Sequence, residues 1–120
     1  AFGPPGEDGG EVYGLHGRAA YLPAARFACG GDWHGDELEL WACGELRQAR
    51  LFGENLVLRR RISAWLGQSR IVVEDSVCNE GYASTPHMLL YHCNFGFPLV
   101  DDGTEIVFDA LESRPEAFLR

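Results

Sequence analysis

Lysine is missing from this sequence: all ten basic residues are arginine. A chain without lysine cannot form a Schiff base with a carbonyl substrate. It cannot anchor pyridoxal phosphate through its usual linkage, and it cannot carry a Walker-A phosphate loop. Positive charge is scarce in total as well. Eighteen acidic residues outnumber the ten arginines, for a formal charge of −8. A chain of that sign is poorly suited to neutralising phosphates, so no nucleic acid is expected as a partner. A neutral or cationic small molecule, or a protein, suits the charge better.

Other patterns are missing too. The four cysteines, Cys29, Cys43, Cys78 and Cys93, include no Cys-x-x-Cys pair. A zinc ribbon or thioredoxin-type motif is therefore disfavoured. They read as four buried, reduced thiols in a cytoplasmic protein. No Gly-x-Gly-x-x-Gly and no Gly-x-Ser-x-Gly occurs, which removes the signatures of dinucleotide binding and of the hydrolase nucleophile elbow. No basic segment followed by an apolar one marks a signal peptide. The only methionine is Met88, so residue 1 is not a translation start, and the sequence is expected to be processed or excerpted. The longest run free of Asp, Glu and Arg is Gly81 to Val100. Its length matches a bilayer crossing, at about 20 residues. Pro86, Pro98, His87, His92 and Asn94 inside it argue against a spanning helix, and no membrane partner is expected.

What is present is alternation. Leu38, Leu40 and Ala42 share one parity, and Glu37, Glu39 and Trp41 the other, the period-2 pattern of a half-buried strand over Asp36 to Arg47. After a turn at Gly53-Glu54-Asn55, Leu56, Leu58, Ile62, Ala64 and Leu66 share a face opposite Val57, Arg59, Arg61, Ser63 and Trp65. Arg60 is the one charged intruder on the apolar side. Gly67-Gln68 turns the chain again, and Ile71, Val73 and Val77 align. Asn79-Glu80-Gly81 forms the next turn. Pro86 to Phe95 is expected as an apolar strand buried on both faces, Asp101-Asp102-Gly103 as a turn, and Glu105 to Ala110 as a short final strand. Residues 1–10, rich in Gly and Pro, read as a flexible segment preceding one domain over 11–120. The sum is an all-β antiparallel meander, a sandwich or barrel. Three of its strands exceed the ordinary length of about five or six residues, so the sheet is expected to be a large one.

The four histidines, His16, His34, His87 and His92, are the natural candidates for chemistry near neutral pH. A metal site is not expected. His87 and His92 are five apart, which puts them on opposite faces of a strand, and no His-x-His pair exists. His92 and Asn94 place polar groups on one parity of an otherwise apolar segment. His16 stands between Gly14 and Gly17, where a backbone can approach a ligand closely, and Arg18 adds a fork of donors for hydroxyls or carboxylates.

Two segments carry a resemblance. Gly14-Leu15-His16-Gly17-Arg18 with Leu22-Pro23-Ala24, and Thr85 to Leu99 with its Tyr91-His92-Cys93-Asn94-Phe95-Gly96-Phe97-Pro98-Leu99 core, resemble aldose 1-epimerase-like proteins of the galactose mutarotase-like superfamily. The resemblance runs from about Glu11 to Ala110. It implies an antiparallel β-sandwich that is part of a mutarotase-type supersandwich, and an activity that interconverts the anomers of a hexose. In that chemistry a carboxylate takes the anomeric hydroxyl proton while a histidine protonates the ring oxygen. By position His92 matches the acid, with His87 as the competing candidate, and His16 matches the second catalytic histidine. Arg18, Asn94 and His87 would contact the sugar.

The same resemblance implies no cofactor, and a monosaccharide or sugar acid as ligand. The family's base Glu lies in a C-terminal half that has no counterpart here, so full mutarotase activity is not expected of these residues alone. A homo-oligomer that covers exposed sheet edges is the expected protein partner. Two other readings stand beside the enzyme: a non-catalytic carbohydrate-binding module, with Trp33, Trp41 and Trp65 available to stack on sugars, and a dimerising structural half-sandwich.

Overall fold

The computed structural model describes residues 6–8, 10–14 and 16–107. Two compact units divide between Leu90 and Tyr91. In the first, β1 (Gly6–Asp8) and β2 (Glu11–Tyr13) pair as a small antiparallel hairpin. The Gly-rich opening is thus not wholly loop. A 3-10 turn at Ala19–Tyr21 follows. Then β3 (Ala25–His34), β4 (Glu37–Ala49), β5 (Asn55–Trp65) and β6 (Ile71–Asn79) form one antiparallel sheet in chain order. The fold is all-β, as the alternation implies.

Three of the four sheet strands fall where the period-2 pattern puts them, because alternation sorts apolar and polar side chains onto opposite faces. β3 has no such signal. Its Ala-Cys-Gly-Gly stretch does not alternate, and it becomes a strand by pairing with the long edge of β4. The connection is the two-residue turn Gly35-Asp36, in which Gly35 has φ 68°, a value that suits glycine and matches the twist of a tight hairpin. The glycine pair in β3 has a packing role. A Cβ on Gly30 would lie 3.0 Å from Cζ2 of Trp41, and one on Gly31 would lie 3.2 Å from Cδ2 of Leu40. Consecutive residues face opposite sides, so the two glycines admit one large β4 side chain onto each face of β3.

The register builds an apolar face from Leu40, Ala42 and Leu46 of β4, Leu58, Ile62 and Ala64 of β5, and Ile71, Val73 and Val77 of β6. The charged intruder is answered across the ladder. Arg60 stands opposite Asp75, with Nε donating to Oδ1 and Nη2 to Oδ2, both at 2.7 Å. Gly44 is its neighbour on the other side, which leaves room for the planar guanidinium.

Several expectations are corrected. Residues 84–96 carry no regular secondary structure and are largely exposed, so the strand over Pro86 to Phe95 does not form. A strand needs a partner, and an apolar run alone does not supply one. Residues 105–107 are likewise not a strand, and the rest of that expected element lies outside the described residues. The four thiols are free, but Cys29, Cys78 and Cys93 are exposed and Cys43 is half-buried. The strands of Cys29, Cys43 and Cys78 lie in a single sheet, and Cys93 lies on irregular backbone. Trp33 is exposed, and Val57 is the fully buried large apolar side chain among the described residues.

The second unit keeps the expected turn at Asp101–Gly103. The amide of Thr104 donates to the Asp101 carbonyl at 3.0 Å, and the Asp101 amide donates to Oγ1 of Thr104 at 2.9 Å. Before it, Leu99 and Val100 both donate to the Gly96 carbonyl, and the Phe97–Pro98 peptide is cis. No helix among the described residues is long and apolar enough to cross a membrane.

Candidate functional site

His16 sits in a turn closed by the Gly17 amide, which donates to the Gly14 carbonyl at 3.2 Å. The imidazole-bearing residue is exposed while Gly17 is buried. Arg18, two residues on, is engaged structurally. Its Nη1 donates to Oε1 of Glu54 at 2.5 Å, which ties the His16 turn to the β4–β5 connection.

Glu54 collects further donors, from Nε of Arg50 at 2.8 Å and Nε2 of Gln48 at 3.3 Å. Burial pushes the Glu54 carboxyl up. Hydrogen bonds from its own backbone, Arg50, Gln48 and Arg18 outweigh that and hold it down at about 2, against an ordinary 4.5. A depressed folded-state value stabilises the native state above the ordinary one, and that stabilisation is lost as pH falls. The urea midpoint is therefore expected to drop between pH 4.5 and about 2. A Glu54→Gln variant should show a flatter profile in that interval. An unchanged profile would remove Glu54 from the acid transition.

His87 is exposed in the irregular segment that ends the first unit. In the second unit, His92 and Asn94 are exposed on irregular backbone. Parity therefore does not align them on one strand face, because it orders side chains only within a strand. The choice of His92 over His87 rests on the motif alone.

Sequence reasoning passed over the polar face of the sheet. Its rows align Asp32 with Glu39 and Trp65, Gly30 with Trp41 and Ser63, Cys43 with Arg61 and Glu74, and Glu45 with Arg59 and Ser76. Trp41 lies across Gly30 and donates Nε1 to Oδ2 of Asp32 at 2.6 Å. The Arg61 guanidinium stands 5.1 Å from the Trp41 ring centroid, a cation–π contact, and donates Nη2 to Oε1 of Glu39 at 3.0 Å. Nε2 of His34 lies 3.5 Å from the other Glu39 oxygen, and its ring is 5.0 Å from that of Trp65. The Arg61 hydrogen bond leads in holding the Glu39 carboxyl below its usual range, with Ser63 and His34 adding to it.

Farther along the face, the nearly buried Glu45 meets Arg26 at 3.3 Å, Arg59 at 3.3 Å and Arg47 at 3.5 Å. Between these rows lies a cavity of 430 Å³. Alternation in β4 and β5 was the signal that these residues share a side, but the register that brings them together was not in the sequence. Among the described residues no group of three His, Cys, Asp or Glu could hold a metal ion.

Residues 1–117 match the model of a protein family described as a domain of unknown function, DUF4432. The chain belongs to that family. The match covers the His16 turn, the whole four-stranded sheet and the His92 segment of this DUF4432 chain. Neither a search of curated proteins nor one of solved structures found a match.

Proposed function

We propose that this DUF4432 chain is an aldose 1-epimerase-like protein that binds a hexose or related sugar and supplies the histidine acid of anomer interconversion. The observation that carries this reading is the Tyr91–Leu99 motif, in which an exposed His92 and Asn94 stand on irregular backbone ahead of the Gly96 turn. A histidine reachable from solvent, with an amide two residues away, can protonate a ring oxygen while the amide bonds a hydroxyl. His16 is the second catalytic histidine of the reading. Arg18, His87 and Asn94 are the sugar contacts of the reading, and the guanidinium of Arg18 also holds Glu54. No glutamate in this sequence matches the family's base motif, so the proposal assigns these residues binding and the acid half of the reaction. No cofactor is involved. The wider fold of the reading is a mutarotase-type supersandwich whose second layer would cover the apolar face. A cytoplasmic location goes with it.

Saturation-transfer NMR between the α and β anomeric protons of glucose and galactose tests the proposal. The protein is expected to perturb the His92 imidazole signals on sugar addition and to raise the exchange rate above buffer. Binding without any rate increase would favour the carbohydrate-binding module. No response of any histidine to either sugar would refute both readings. The dimerising half-sandwich predicts a dimer in light scattering, and a stable monomer would count against it.

A further inference from the structure

We propose that the polar face of β4–β6 is a binding site for a small molecule bearing an oxyanion, a carboxylate or a phosphate group, seated on Arg59 and Arg61. The proposal stands on the sheet alone and is independent of the sugar reading of His92. Shape is the first argument. The cavity of 430 Å³ falls within the range of small-molecule sites, roughly 300–1,000 Å³. It arises from size contrast along the ladder. Cys43 is the register partner of Arg61, and Ser76 is that of Arg59, so long side chains wall a floor made of short ones.

Charge is the second argument. The chain carries −8, yet here the cations lead. Glu45 faces three guanidiniums, those of Arg26, Arg47 and Arg59. Glu80 supplies one further carboxylate, shared by Arg47 and Arg59. Among the residues that line the cavity, the four guanidiniums of Arg26, Arg59, Arg60 and Arg61 stand against the three carboxylates of Glu45, Glu74 and Asp75, and an entering oxyanion balances the excess of one positive charge. The guanidinium fork suits both carboxylate and phosphate geometry.

Preorganisation is the third. Arg61 is held on two sides, by the Trp41 ring and by Glu39, so little freedom remains to be lost on binding. Arg26 occupies a β-bulge, where the register shifts between Ala25 and Ala28, at φ 50°. Non-glycine residues seldom adopt that conformation. Bulges of this kind re-aim side chains beside sites, and this one sends the Arg26 guanidinium to Glu45 while leaving its side chain 75% exposed at the cavity.

The test is a ¹⁵N–¹H titration of the chain with inorganic phosphate, with D-glucuronate and with D-glucose. Phosphate or glucuronate is expected to shift the amides of Cys43, Glu45, Arg59, Arg61 and Ser76, with an affinity that falls as salt rises. Glucose, lacking the anion, is expected to leave them in place. Whichever anion binds more tightly identifies the group the site takes. Arg61→Gln should weaken binding at least about tenfold, the loss of one charge-assisted hydrogen bond. Arg26→Gln is the control for folding, since so exposed a side chain can be replaced without loss of melting temperature, and it should weaken binding several-fold. Shifts absent with both anions, shifts equal with glucose, or shifts that neither variant reduces would overturn the proposal.

Discussion

Replacing Asp75 with alanine is expected to cost about 3 kcal/mol of stability, the lower end for breaking a buried ion pair. Asp75 keeps only 6% of its side-chain surface exposed, while Arg60 keeps 34%. Both stand on the apolar face, among Leu58, Ile62, Val73 and Val77. Without Asp75, a guanidinium that donates twice to one carboxylate loses both of those hydrogen bonds on a face lined by apolar side chains. Its partial exposure to water softens the loss, which places the figure at the lower end. The double variant Arg60→Leu with Asp75→Val should recover most or all of that loss, because matched apolar residues replace a pair whose desolvation offsets its attraction. Urea unfolding of both single variants and the double variant gives the coupling energy. A Asp75→Ala variant as stable as the parent, or a double variant as unstable as Asp75→Ala alone, would show that the pair does not act as a unit.

The second large effect concerns His92. If this histidine is the acid of anomer exchange, His92→Ala should lower the protein-dependent exchange rate at least about a hundredfold, the lesser end of what a positioned acid contributes. Melting temperature should hardly change, because His92 is exposed on irregular backbone. His87→Ala decides between the two candidates. It should weaken sugar binding modestly and leave turnover of bound sugar close to that of the parent. Exchange that survives His92→Ala and disappears with His87→Ala would move the acid to His87.

The strands of the sheet show how far local pattern reaches. β4, β5 and β6 were legible because their side chains alternate, and alternation is a property of a single chain segment. β3 was not, because Ala28, Cys29, Gly30 and Gly31 have no alternation. They take strand conformation from their register partners Cys43, Ala42, Trp41 and Leu40 on β4. The opposite error fell on Pro86 to Phe95, where apolar composition alone suggested a strand that no neighbour among the described residues completes. The Arg60 anomaly was visible in the sequence. Its answer, Asp75, is fifteen residues away in the chain and becomes its partner only through the β5–β6 register.

The candidate sites divide in the same way. His16, His92 and the residues around them were found because a motif is written in consecutive residues. The motif makes Arg18 an expected sugar contact, and the fold also gives it to Glu54, a pairing that no spacing foretells. The arginine-walled cavity was invisible, since Arg26, Glu45, Arg59 and Ser76 come from four strands.

The sequence by itself determined the all-β class, the two faces of the main strands, the tight turns and the histidine-bearing motifs. Each of these depends on residues near one another in the chain. Tertiary structure alone decided which strands are neighbours and in what register, that Arg60 is neutralised by Asp75, and that Arg26, Arg47 and Arg59 converge on Glu45. Ladder pairing is a long-range choice. A shift of one residue would exchange the apolar and polar faces of a whole strand.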